Sequence, residues 1–293
     1  MKTNLKGVVL VLLGAISYGI LATIVKYANH KGIPVSVLTF LQSLIGVLFL
    51  MAYAYAKQKK QAHHLPLTHR ARLKLLLFGT SLGITSSLYY LSIQYIPVSL
   101  GIVLLMQSIW MSLLLEYILY RKPIGKLKII GALTTIAGTI LATNILFQET
   151  ALAWKGIALG LGAALSYTIS LYASSTIEKT QPSHIRSLYL VSGSLLAVMM
   201  FWNSAIISDF TTLRALPWGL LLAVFGTILP PLLFTKGIPM IGIGLGGILI
   251  AVEIPVSVLS AHLVLGEHVA LMQWTGIGLI LFSVIMVNKP KTK

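Results

Sequence analysis

The chain has no cysteine among its 293 residues, which excludes disulfides, iron–sulfur ligation and a thiol nucleophile. Acidic residues are almost as scarce, six against 22 lysines and arginines. Charged residues of both signs reach only 10% of the chain, where a soluble domain carries about 25%. What stands in their place is apolar: 57% of all positions, with a mean hydropathy of +0.90. A soluble fold of this length has too little interior to hide that much apolar surface, so the solvent it is built for is lipid. The formal charge of +16 does not point to nucleic acid. The basic residues sit in short connections, and no basic patch with interleaved aromatics lies on a soluble segment.

A helix needs about 20 residues to cross the hydrocarbon core. Apolar runs fall at about 7–28, 34–55, 74–93, 98–120, 127–146, 154–177, 185–204, 216–236, 240–264 and 270–288. In lipid only helices and closed barrels satisfy their own backbone, and these runs are twice too long for barrel strands. The expected fold is therefore an all-α membrane protein of ten transmembrane helices. Lysines and arginines orient it. One side collects eighteen of the 22, from Lys2 and Lys6 through Lys57, Lys59, Lys60, Arg70, Arg72, Lys74, Arg121, Lys122, Lys126 and Lys128 to Lys179, Arg186, Lys236, Lys289, Lys291 and Lys293. The other has only Lys26, Lys31, Lys155 and Arg214. Both termini are thus expected to be cytoplasmic. The first run is too long for a signal peptide and has a counterpart later in the chain, so it is read as retained.

That counterpart is an internal repeat. Lys6-Gly7-Val8 through Ser17-Tyr18 matches Lys155-Gly156-Ile157 through Ser166-Tyr167 without a gap, at an offset of 149. Ile96-Pro97 and Ile238-Pro239 are read as opening the fourth and ninth spans, and Gly131 corresponds to Gly276. Each half, 1–148 and 149–293, then holds five spans. Five is odd, so the halves must enter the membrane in opposite senses. Inverted repeats with a site near the midplane are a common plan of secondary transporters, because rocking one half against the other exposes that site alternately.

Ser17-Tyr18-Gly19 followed by Lys26 resembles the first-helix signature of the drug/metabolite transporter superfamily, in its EamA-type branch. Glu253-Ile254-Pro255-Val256, then Leu265-Gly266-Glu267 and Gln273 to Gly276, is similar to that branch's ninth-to-tenth-helix signature. The resemblance implies a multi-pass carrier of the bacterial inner membrane that exports amino acids or related metabolites. It also implies a cavity lined by helices 1, 3, 4, 6, 8 and 9. The first half departs from the pattern, with Gln107-Ser108-Ile109 and Tyr120-Arg121-Lys122-Pro123 where the family has acidic elements.

Of the few carboxylates, Glu116 and Glu253 lie inside spans. A carboxylate at the bilayer centre costs at least about 2.5 kcal/mol, so it needs a partner, water or a proton. Glu253 falls mid-span with Ser257, Ser260 and Gly246 on its helical face. Pro255 is expected to leave the carbonyl near 251 without its donor. This face either lines the cavity or holds a protonated structural Glu. Glu116 either anchors at the cytoplasmic surface near Arg121 and Lys122 or joins Gln107, Ser108 and Ser112 in a cavity wall. Pro230-Pro231 must break the eighth span, for binding or for packing. Ser17, Ser166, Tyr18, Tyr167, Tyr89, Tyr90 and Trp110 fall on the implied cavity helices, with Tyr18 and Tyr167 as repeat mates. Gly242 and Gly246, with Gly156 and Gly160, have the spacing for close helix contact. His63, His64 and His69 share one loop and read as solvated, and His262 faces away from Glu253.

The candidate substrate is a small amphipathic molecule, with proton exchange at Glu253 or Glu116. The alternative is a multidrug or cationic-compound exporter. No span carries a nucleophile–base pair, a paired-carboxylate motif or His-Glu-x-x-His, which speaks against an intramembrane enzyme, and no soluble domain is present to read out a signal. No metal or other cofactor is expected. Small residues along the fifth and tenth spans offer a surface for a second copy.

Overall fold

The computed structural model describes residues 4–58, 67–92, 95–96, 98–121, 123–142, 153–209, 213–266 and 269–288. Lys2, Lys59, Lys60, His63, His64, Pro97, Lys122, Glu267, Lys289, Lys291, Lys293 and the junction at 148 and 149 lie outside them. Among the described residues the apolar runs form helices and no strands. These are α1 (Leu5–His30), α2 (Val35–Gln58), α3 (His69–Ser92), α4 (Val98–Leu105), α5 (Ser108–Tyr120), α6 (Lys126–Ala142), α7 (Trp154–Thr176) and α8 (Ser183–Asp209). After them come α9 (Leu216–Leu222), a π-helical segment Ala223–Ile228, α10 (Leu229–Ile241), α11 (Ile243–Ile250), α12 (Glu253–Leu265) and α13 (Leu271–Asn288).

Among the described residues eight helical stretches are long and apolar enough to cross a membrane, where ten spans are expected. The two that fall short are the fifth and tenth. Helix α6 is 17 residues long and carries Lys126 and Lys128 in its first turn, while the apolar part of α13 is Leu271–Val287.

Helix contacts follow the repeat. Exchanging the halves turns the α3–α8 contact into that of α2 with α9 and the π segment. In the same way α3–α7 becomes α1–α10, and α1–α12 becomes α7 with α4 and α5. The α2–α8 and α6–α13 contacts map onto themselves. Lipid tails give no hydrophobic push between helices, so close approach of small residues does the joining. Gly79 and Gly83 of α3 lie against the backbone at Leu190 and Ser194 of α8, and Gly138 of α6 lies against Gly276 of α13. The small residues of the fifth and tenth spans thus face each other within the chain. All eight residues of α11 are buried between two apolar clusters, one with α1, α7 and α10 and one with α5, α6 and α13. Side chains such as Met200, Ile207 and Leu263 point outward, as a lipid-facing surface requires.

Proline plays a different part from the expected one at two places. Pro239 does not open the ninth span: it lies inside α10, and the turn into α11 is made at Gly242, whose φ of +89° only glycine adopts easily. Pro230 and Pro231 occupy the first turn of α10, where their missing donors matter least, directly after the π segment.

Candidate functional site

The fourth and ninth spans are both interrupted at the same point of the repeat. In the fourth, Gln107 N–H reaches Leu104 O at 3.0 Å and Ile109 N–H reaches Met106 O at 3.0 Å. In the ninth, Val252 N–H reaches Leu249 O at 3.2 Å and Ile254 N–H reaches Ala251 O at 3.1 Å. Each pair is the tight i→i−3 spacing of a 3₁₀ turn. The bonds correspond one for one at an offset of 145, which makes Ser108 the structural mate of Glu253. The carbonyl at 251, expected to lack a donor because of Pro255, is therefore satisfied by the residue before the proline. The interruption also takes Gly246 off the face of Glu253: it packs against Ile238 instead.

Glu253 begins α12 at this break. Its side chain is half-buried, and among the described residues no hydrogen-bond or ion-pair partner reaches its carboxyl. The phenols of Tyr18 from α1, Tyr89 and Tyr90 from α3 and Tyr167 from α7 all come within electrostatic reach of it. Tyr18, Tyr89 and Tyr90 are half-buried too. Tyr167 is buried, and its hydroxyl has no hydrogen-bond partner among the described residues. Phe234 of α10 closes one wall, its ring 5.6 Å from that of Tyr18, and Tyr89 lies 5.8 Å from Tyr90. Helix α1 comes close enough for this because residue 19 is glycine: a Cβ there would meet Val256 and the Glu253 carbonyl.

Other candidate residues stand elsewhere. Ser17 and Ser166, the repeat mates, join helices. Ser17 Oγ donates to Phe225 O at 2.8 Å, and Ser166 Oγ donates to Ser81 O at 2.9 Å. The first bond has a chemical cause. In the π segment Leu229 N–H turns back to Val224 O, so the donor due to Phe225 O belongs to Pro230, which has none. Ser17 supplies it. Gln107 spends its amide locally, donating to Val103 O at 3.0 Å and accepting from Trp110 Nε1 at 3.0 Å. Trp110 itself is exposed. Ser257 is half-buried, and its carbonyl accepts from Ser260 Oγ, which is also 2.6 Å from Thr23 Oγ1.

Glu116 does not pair with Arg121, and Lys122 lies outside the described residues. Lys128 Nζ of α6 lies 2.8 and 2.9 Å from its two oxygens, and Gly244 N–H of α11 donates to Oε2 at 2.9 Å. A carboxylate at a helix N-terminus meets unpaired N–H groups and the positive end of the dipole, so Glu116 ties three helices together.

The sequence reading missed Arg186. Counted there as a loop cation, it is 1% exposed. Its guanidinium donates to Ala173 O, Ser174 O and Ile177 O at the end of α7, at 3.2, 2.6 and 2.9 Å, and to Thr235 O of α10 at 2.7 Å. The last carbonyl is the one that Pro239, four residues on, leaves without a helical donor. A proline inside an apolar run was the available signal.

The EamA-like transporter family matches this sequence twice, over residues 5–144 and 154–289. The chain belongs to that family. Threonine/homoserine exporter RhtA of Escherichia coli strain K12 is 24% identical over 83% of this chain and 78% of its own length, with the same figures for its counterparts in strains O6:H1 and O157:H7. A crystal structure of a protein with 14% identity superposes with a TM-score of 0.78 over 99% of both chains. An EamA-like protein is a membrane transporter, and the two matches leave only residues 145–153 and the extreme ends unassigned.

Proposed function

We propose that this protein is a carrier of the bacterial inner membrane that exports small amphipathic metabolites, amino acids among them, by alternating access. Residues 1–148 and 149–293 form two units of five spans in opposite orientation, with both termini in the cytoplasm. The observation that supports the reading most directly is the Glu253 carboxyl. It has no partner among the described residues, stands at a helix break and lies within electrostatic reach of four tyrosines from three other helices. Interrupted backbone at membrane depth is tolerated where it lines a cavity. A carboxyl placed there without a counter-ion is a functional group before it is a structural one. The relation to a threonine/homoserine exporter supports amino acids as the class.

Glu253 is also the route for proton coupling, since a carboxyl that must be dry in one state and wet in another changes charge by taking a proton. Glu116, held by Lys128 and Gly244, stays committed to its clamp. In proteoliposomes of the purified protein, assayed with an amino-acid panel including threonine and homoserine, Glu253→Gln lowers flux at least about tenfold, or about 1.4 kcal/mol in the barrier. It also flattens the dependence of flux on a pH gradient. A variant with unchanged rate and pH profile sinks the role of Glu253.

A further inference from the structure

We propose that the Glu253 site reads its substrate by a protonated amine and leaves the carboxylate of an amino acid unread, so that primary ammonium compounds as a class fit it. This rests on the transport reading above and narrows it. The first ground is charge: the site holds one carboxyl and no partner for it among the described residues. The second is its walls. Tyrosine faces attract an ammonium through the ring quadrupole, and their hydroxyl oxygens accept hydrogen bonds from it. The buried hydroxyl of Tyr167 has no hydrogen-bond partner among the described residues.

The third ground is what an anion would need. A substrate carboxylate requires a cation or a set of unspent N–H groups. The two interior cations that might serve are spent, Lys128 on Glu116 and Arg186 on four backbone carbonyls. In the first turn of α12, Ile254 donates to Ala251, Pro255 has no N–H and Val256 donates to Val252, which leaves the Glu253 N–H alone where a carboxylate needs a set. A helix start that elsewhere cradles anions is reduced here by proline and the 3₁₀ turn.

L-serine and four analogues separate the two ends of the molecule: L-serinamide and L-serine methyl ester keep the amine and lose the carboxylate, while N-acetyl-L-serine and L-glycerate keep the carboxylate and lose the amine. They are compared by thermal stabilisation of the purified full-length protein and by competition for labelled L-serine counterflow in proteoliposomes. The proposal expects the amide and ester to match serine within about threefold, and the N-acetyl compound and glycerate to be at least about tenfold weaker. Glu253→Gln should remove that preference, while Glu253→Asp keeps part of it. Equal ranking of N-acetylserine and serinamide overturns the proposal, as does a preference for the carboxylate-bearing pair. Should serine not be carried, an amine ordering in the stabilisation series upholds the amine site and overturns the amino-acid reading alone. Absence of any ordering there overturns the amine site, whatever the transport panel shows.

Discussion

At the scale of single residues, the chemistry of this protein follows from how few polar groups it carries into the membrane and how each is paid for. Arg186 shows the rule most plainly. The last carbonyls of a helix have no partner of their own, and a proline removes one more donor four residues downstream. One guanidinium, with five donors in a fixed fork, serves both sets at once. Replacing Arg186 by Met leaves three buried carbonyls, of Ser174, Ile177 and Thr235, without its donors, while Ala173 O keeps the Ile177 N–H, and should cost about 3 kcal/mol of stability. Arg186→Lys should fall between the two, since a single ammonium cannot span the same oxygens. Thermal unfolding of the detergent-solubilised protein checks both, and a Met variant as stable as the wild type would remove this account. The sequence singles out Glu253, Tyr18 and Tyr167 as candidates because lipid makes a mid-span carboxyl conspicuous and the repeat pairs Tyr18 with Tyr167. Arg186 was not, because its partners lie up to 49 residues away and nothing local says that the chain folds back over it.

At the scale of elements, the informative feature is a broken helix repeated in each half. The apolar runs at 98–120 and 240–264 read as continuous spans, since a 3₁₀ turn changes neither length nor hydropathy. Pro255 drew attention to the ninth span alone. Yet the fourth makes the same backbone bonds around Gln107 without any proline. The turn thus forms in the fourth span without a proline, so Pro255 is not needed to make the break. Pro255→Ala should then keep the break and the fold. Its stability should stay within about 1 kcal/mol of the wild type, and transport should persist. Thermal unfolding and proteoliposome flux measure the two, and loss of both would return the proline to the cause. The same comparison explains why the halves differ in chemistry: at corresponding positions of one scaffold, a serine stands in the first break and Glu253 in the second.

At the scale of the whole molecule, the sequence spoke most clearly, because span length, charge bias and the repeat constrain one another. The helical architecture was legible from those, and the family from the residue patterns of the first helix and of the ninth and tenth. The count was not, since the fifth run begins with lysines and its end lies outside the described residues, leaving α6 and α13 as the short members. Their contact through Gly138 and Gly276 is what a fifth and tenth span related by the repeat would make. Ten spans with both termini inside impose an alternation that eight do not, and the absence of cysteine makes it measurable without altering the background. Gly125→Cys and Lys179→Cys, both at exposed positions, should react with a membrane-impermeant maleimide in inside-out vesicles and be silent in intact cells. Lys31→Cys and Lys155→Cys, also exposed, should do the reverse. Gly125 and Lys155 flank the junction of the halves, so their opposite labelling requires α6 to cross the bilayer. If both react from the same side, α6 does not span, the second half is not inverted with respect to the first, and alternating access by opposed halves has no structural basis in this chain.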